Sequence, residues 1–333
     1  MEPGLFHEFY SEIVSLIGTY TQEIGSNMCV EHVLKMVDYT VKGGKLARGT
    51  MCSSAFLEVQ KILPESENAK IGYIIGWAIE LLQASFLIAD DLMDQSEKRR
   101  GKPCWYLTEG IGNEAVNDAI IMELIAIKVL YKLEEYLPVN IVMDLIHVCR
   151  KVNMITSMGQ TLDFLSSMKT KETYESIAHS KTSYYTIYLP LALPLIASQK
   201  FTVEELERIL LQFCMRLGFL FQAQDDWIDV FGDSSKTGKI GTDIVDGKIT
   251  WLITRAYELS SSEQKARIDE NLGKPGKEQF VKQVYEEVEI SKHYLDFEKS
   301  ENEILNQELD QMDEKLPKNT IRALLRMLFG RKA

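Results

Sequence analysis

Two copies of one acidic pattern hold the residues best suited to chemistry. An apolar run from Leu81 to Ala89 ends in Asp90-Asp91-Leu92-Met93-Asp94, and another from Leu217 to Gln224 ends in Asp225-Asp226-Trp227-Ile228-Asp229. On a helix, residues i and i+4 share a face and residue i+1 lies about 100° round. Asp90 with Asp94, and Asp225 with Asp229, therefore share faces, with Asp91 and Asp226 offset. Carboxylates so placed on an oily helix repel one another and cost stability unless positive charge lies among them. Hard oxygen donors without a nearby His or Cys favour Mg²⁺, or Mn²⁺, over zinc. Two such clusters suggest a polyphosphate beyond the metal.

Cations are spaced to match. Lys45 and Arg48 follow the Gly43-Gly44 break, Arg99 and Arg100 follow the first aspartates, and Lys239 and Lys248 bracket the loop after the second. Any one pair reads as surface charge or as a complement to a helix C-terminus; together they read as two anion sites. Polar residues embedded in apolar surroundings form a third group: Gln160, Thr161 and Asp163, then Lys181 and Thr182, then Gln222. Singly, each reads as a buried group bonded to backbone. Lys181-Thr182 beside Tyr184-Tyr185 is also suited to stabilising a diffuse positive charge and its departing anion. No Ser/His/Asp or Cys/His relay is evident. The chemistry is electrophilic: a diphosphate leaves, a carbocation forms in a dry pocket, and a second molecule traps it. The stretch Gly232 to Ile240 is no nucleotide P-loop, because five residues separate its glycines, Ile240 stands where Ser or Thr is needed, and it follows a helix.

The elements that must position these groups are helices. Periodicity predicts helices over Glu8–Ile24, Glu31–Val41, Leu46–Leu63, Ala69 to about Gln95, Asn113–Tyr136, Asn140–Ser167 and Lys171–Ala197, the last broken by proline. Thr202 and Glu205 form a capping box for the helix carrying the second cluster, which ends near Gly232. Further helices are expected at Lys248–Ser260, Gly276–Leu295 and Ile321–Leu328. No hairpin signal and no linker is found. The expectation is all-α: one large domain over 1–333, a helical bundle around a central cavity faced by both acidic clusters.

Bulk properties agree. The 333 residues are 45% hydrophobic, and with only 8 Pro and 20 Gly the chain suits long helices and a large core. A formal charge of −12 disfavours nucleic acid and anionic membrane as partners. Five scattered cysteines with no C-x-x-C spacing indicate reduced thiols in a cytoplasmic compartment. The N-terminus carries no signal-like run, and the apolar stretch Tyr184–Ala197 is too short for a membrane span and is interrupted by Pro190 and Pro194.

A further set of motifs lies in a telling order: Gly43-Gly44-Lys45-Leu46-Ala47-Arg48-Gly49, the first aspartates with Arg99-Arg100-Gly101, Lys102-Pro103-Cys104-Trp105-Tyr106, Gly159-Gln160-Thr161-Leu162-Asp163, Lys181-Thr182, Phe221-Gln222-Ala223-Gln224 with the second aspartates, and Lys239-Ile240-Gly241-Thr242-Asp243. In this order they resemble the trans-isoprenyl diphosphate synthases of farnesyl and geranylgeranyl type over nearly the whole chain. The resemblance implies an all-α homodimer that condenses isopentenyl diphosphate with allylic diphosphates head to tail. It implies that Asp90, Asp91, Asp94, Asp225 and Asp229 bind three Mg²⁺ with the allylic diphosphate, Asp226 supporting them. Arg99, Lys181, Lys239 and Lys248 would hold that diphosphate, and Lys45, Arg48, Gln83 and Arg100 would hold isopentenyl diphosphate. Lys181, Thr182 and Gln222 would face the allylic cation, and the released diphosphate would accept the proton.

One position departs from the farnesyl pattern. Two aromatics usually precede the first cluster; here those positions are Ser85 and Phe86, about one 5.4 Å turn from Asp90. A serine there opens the hydrocarbon tunnel and predicts elongation beyond fifteen carbons to geranylgeranyl diphosphate, unless Met158 or Phe164 fills the gap. Two rivals stand beside the synthase reading. A class I terpene cyclase would not need Lys45, Arg48 and Arg100, and a non-catalytic partner subunit would be expected to lose aspartates, of which none is lost.

Overall fold

The structure is a computed structural model that describes residues 4–232 and 241–330. Helices dominate, as expected: α1 (Gly4–Glu8), α2 (Tyr10–Ile24), α3 (Asn27–Val41), α4 (Ala47–Gln60), α5 (Ala69–Met93), α6 (Ala115–Tyr131), α7 (Val139–Leu165), α8 (Lys171–Ile177), a π-helical segment (Ala178–Tyr188), α9 (Leu189–Ala197), α10 (Val203–Ile209), α11 (Leu211–Phe231), α12 (Asp243–Asp246), α13 (Trp251–Leu259), α14 (Ser262–Asn271), α15 (Glu278–Glu287), α16 (Ile290–Gln311) and α17 (Lys318–Phe329). Packing groups the chain into two compact units. The first is Met1–Arg150 with Leu189–Leu206 and Glu314–Thr320; the second is Lys151–Tyr188, Glu207–Asp313 and Ile321–Ala333.

In the first unit α5 is the central element. It is buried on all sides from Ile71 to Leu82, as expected for a helix apolar nearly all round, and packs against α4, α6 and α9. It is also long and apolar enough to cross a membrane by length and composition, although 83% of its most apolar window is buried inside the protein. After α5 comes a two-residue antiparallel ladder that no sequence signal predicted, β1 (Lys98–Arg99) with β2 (Lys102–Pro103), registering Lys98 with Pro103 and Arg99 with Lys102. Its turn residues Arg100 (φ 54°) and Gly101 (φ 75°) are both left-handed, the signature of a type I′ hairpin.

In the second unit α11 packs along the π-helical segment. The predicted continuous helix Lys171–Ala197 is instead α8, eleven residues of π-helix and α9. Two glycines let neighbours close on the widened segment. A Cβ on Gly159 of α7 would stand 2.3 Å from Lys181 N, and one on Gly218 of α11 would stand 2.3 Å from Ser183 Oγ. The core beneath is built from Tyr174, Ile177, Trp251, Leu252, Ile268, Tyr285 and Tyr294.

Other boundaries moved for local reasons. Both bonds of the Thr202–Glu205 capping box form, but the helix they cap is the short α10; the chain breaks at Leu210 before α11. The predicted helix Gly276–Leu295 is interrupted at Glu289, which is left-handed at φ 52°, and α16 then runs on to Gln311. Polar α14 was not predicted, although Ser261 and Gln264 give it a complete capping box.

Candidate active site

In the first unit the aspartates occupy the last turn of α5, where backbone carbonyls lack intrahelical partners and the dipole favours a cation. The inner aspartate turns inward. Asp91 is 4% exposed and Arg99 closes on it from β1, its Nε donating to both carboxylate oxygens at 2.7 and 2.8 Å and its Nη2 lying 2.5 Å from Oδ1. Nη2 also lies 3.5 Å from Asp90 Oδ2. Burial works against the charge on Arg99, and Asp91 with Asp90 more than restores it. Part of the positive charge demanded by the aspartate repulsion is therefore an arginine.

The predicted isopentenyl diphosphate residues collect in the same unit. Lys45 is exposed just before α4, Arg48 stands in the first turn of α4, and Gln83 lies on α5. Arg100 lies flat on Gly44, where a Cβ would be 2.6 Å from its guanidinium carbon, and its Nη1 donates to the Thr40 and Val41 carbonyls at 2.9 and 3.1 Å. Those carbonyls end α3, so Arg100 does complement a helix C-terminus, that of α3 rather than α5.

In the second unit one hydrogen-bonded run links three predicted residues. Thr182 Oγ1 donates to Gln222 Oε1 at 2.5 Å, Gln222 Nε2 donates to Asp226 Oδ1 at 2.8 Å, and the Trp251 N–H donates to Asp226 Oδ2 at 2.8 Å. Asp226 is thus a buried strut, its carboxyl pushed up to about 7 chiefly by burial. Asp225 is exposed at the surface of α11, and Asp229 accepts from the Thr242 and Asp243 N–H groups at 3.3 and 3.1 Å. Alongside, Lys181 and Lys248 converge on Asp163 Oδ2 at 2.7 and 3.3 Å. Burial raises the Asp163 carboxyl, but the two lysines outweigh burial and hold it below its ordinary value. Asp163 was noted in the sequence as an embedded polar residue; its role as the anchor of both lysines was not legible, since Lys248 lies 85 residues away.

Lys239 lies outside the described residues. Ser85 is 5% exposed and its hydroxyl bonds back to Leu82 O at 2.7 Å, while Phe86 is half-buried. Met158 and Phe164, which the sequence offered as fillers for the space at Ser85, are exposed. A cavity of about 1080 Å³ in the second unit, walled by Tyr174, Phe219, Trp251 and Phe297, includes none of the predicted site residues.

The donor chemistry fits a hard divalent ion. The outer aspartates of both clusters offer only oxygen donors, in the last turns of α5 and α11 or at their ends. Among the described residues no group of three His, Cys, Asp or Glu side chains is arranged to hold a metal by itself. An ion there would complete its shell with water and ligand phosphate, the habit of Mg²⁺ rather than of a structural zinc.

Comparison with known proteins gives one answer. The polyprenyl synthetase family model matches residues 30–288. The farnesyl pyrophosphate synthase of Candida albicans is 34% identical over 98% of this chain and 96% of its own length. That of Saccharomyces cerevisiae is 36% identical over 84% of this chain and 82% of its own length. Among solved structures, T. brucei farnesyl diphosphate synthase complexed with a bisphosphonate superposes with a TM-score of 0.89 at 28% identity, covering 100% of both chains. By these matches the chain belongs to the polyprenyl synthetase family, as a trans-isoprenyl diphosphate synthase.

Proposed function

We propose that the protein joins isopentenyl diphosphate to dimethylallyl and geranyl diphosphate, giving farnesyl diphosphate, and carries part of its product on to geranylgeranyl diphosphate. The enzyme is a prenyltransferase of head-to-tail type. The observation that carries this reading is the Thr182–Gln222–Asp226 run beside two lysines held on Asp163. It sets neutral oxygen dipoles, suited to an allylic cation, next to ammonium groups suited to its leaving diphosphate.

Each residue has a part. Asp90, Asp94, Asp225 and Asp229 offer outward carboxylates to three Mg²⁺, with Asp91 and Asp226 bracing them from within. When bound, the ions neutralise the diphosphate and ease departure of its oxygen. Lys181 and Lys248, with Arg99 and Lys239, grip the allylic diphosphate. Lys45, Arg48, Gln83 and Arg100 hold isopentenyl diphosphate, so its double bond is positioned before ionisation begins. Thr182 and Gln222 turn oxygens toward the allylic carbon, and the proton lost from the new bond passes to the released diphosphate. We further propose that both units act as one catalytic domain over 1–333, in a cytoplasmic homodimer. The exposed stripe Val116, Ile120 and Leu124 along α6 suits a subunit contact, and all five cysteines are free thiols.

Radiolabelled isopentenyl diphosphate offered with five-, ten- and fifteen-carbon starters, products separated by length, tests the reaction and its reach. Condensation with the first two starters is expected, and some with the third. Failure with all three in Mg²⁺ would sink the reading. Ser85→Phe should shorten the product to fifteen carbons; an unchanged spectrum would remove Ser85 as the determinant.

A further inference from the structure

Helix α4 begins without a cap of its own. Leu46, just before its first turn, is left-handed at φ 47° and provides no side-chain acceptor, so the first N–H groups need a partner from elsewhere. Glu80 of α5 supplies one: its Oε1 accepts the Gly49 N–H at 2.7 Å, and the residue is only 4% exposed. The two helices can come this close because their crossing carries no side chains. A Cβ on Gly49 would stand 2.8 Å from Gly76 O and 2.9 Å from Glu80 Cγ, and one on Gly76 would stand 2.7 Å from Gly49 O.

A buried carboxylate persists only with compensation. Burial pushes the Glu80 carboxyl up, while the Gly49 N–H, Arg48 and Arg100 draw it back down. The converse holds for Arg100: burial disfavours its charge, Glu80 supports it, and Arg99 and Arg48 oppose it. Arg48 and Arg100 thus oppose one another's charge beside one carboxylate that supports both and that no mechanistic step uses. Glu80 stands three residues before Gln83, on the same side of α5.

We propose that Glu80 is the positioning residue of the isopentenyl diphosphate subsite. Its buried carboxylate fixes the first turn of α4, and so Arg48, and sets one negative charge between Arg48 and Arg100, which the Thr40 and Val41 carbonyls hold against Gly44, so that two mutually repelling guanidiniums are presented together to one diphosphate. This rests on the assignment of Arg48 and Arg100 to that substrate. Glu80 acts through them and touches neither substrate.

Glu80→Gln preserves the shape and an acceptor for Gly49 but deletes the charge. The Michaelis constant for isopentenyl diphosphate should rise about tenfold, the reach of one charge-assisted hydrogen bond, while kcat and the constant for geranyl diphosphate stay within about twofold. Glu80→Asp, which keeps the charge on a shorter arm, should give a rise of about threefold. It decides the question if the glutamine variant does not fold. An unchanged isopentenyl diphosphate constant in folded Glu80 variants, or an equal rise in the constants of both substrates, would overturn the proposal, as would tighter isopentenyl diphosphate binding. Arg48→Gln measured in parallel separates the two layers. If that substitution leaves the isopentenyl diphosphate constant unchanged, the subsite assignment fails. If it raises the constant while the Glu80 variants do not, only the role of Glu80 fails.

Discussion

The two aspartate clusters share a spelling but not a construction. Each lies in the last turns of a long helix, each leaves one outer aspartate exposed, Asp94 or Asp225, and each turns its middle aspartate inward. In the first unit that inner group, Asp91, is met by a full charge, the forked guanidinium of Arg99. In the second unit Asp226 is met by dipoles, the Gln222 amide, the Trp251 N–H and the Tyr174 hydroxyl, and burial pushes its carboxyl up to about 7. The first cluster is braced by electrostatics tied to a hairpin, the second by a hydrogen-bonded run reaching to Thr182. The contrast follows from their neighbours. A type I′ turn brings arginine back over α5, while the π-helical segment alongside α11 brings a hydroxyl and a lysine.

Removing the outer carboxylates should be the most damaging change and should affect both clusters alike. Asp90→Ala and Asp225→Ala are each expected to lower kcat by about 10³-fold, the worth of a lost electrostatic stabiliser of the transition state, with thermal stability unchanged. A large loss from only one would break the equivalence of their outer faces. The inner aspartates should differ in stability. Asp91→Asn strands a mostly buried arginine and should cost about 3 kcal/mol, whereas Asp226→Asn leaves neutral donors and should cost about 1–2 kcal/mol, both read from denaturant unfolding. The reverse order would contradict the distinction between charge and dipole. Thr182→Val cuts the run at its far end, so kcat should fall about tenfold with both Michaelis constants little changed.

The smallest effect concerns pH. Asp163 is held below its ordinary carboxyl value in the folded protein, so its pairing with Lys181 and Lys248 stabilises the fold above the ordinary carboxylate range. That contribution disappears as pH falls through the depressed value. Asp163→Asn should therefore lower stability at neutral pH and flatten its decline at acid pH, measured as melting temperature against pH. An identical acid decline would show that Asp163 contributes nothing to it.

The helices and the outer aspartates were legible because each depends on local spacing: apolar periodicity for α5 and α11, and i, i+4 for the carboxylates. What escaped depends on chain reversal or on long separations. The hairpin carries no Asn-Gly signal; its left-handed residues are Arg100 and Gly101. The π-helical segment from Ala178 to Tyr188 is accommodated by Gly159 and Gly218, neither of which lies in it. The break at Glu289 sits among good helix formers without Gly or Pro. Glu80 did announce itself, as an acid in the apolar run from Ile71 to Leu82, but its partner Gly49 lies 31 residues earlier. The glycine spacing around Gly43-Gly44 was readable as a break, and only the structure shows that Gly44 makes room for Arg100.

The central claim is that these clusters drive one metal-dependent condensation. The most direct test is transfer of label from isopentenyl diphosphate into product with geranyl diphosphate as partner, in Mg²⁺ and again with chelator. The account predicts labelled farnesyl diphosphate only where the divalent ion is present, and recovery when Mg²⁺ is restored. Release of a hydrocarbon or alcohol from a prenyl diphosphate alone, with no incorporation of label, would contradict it.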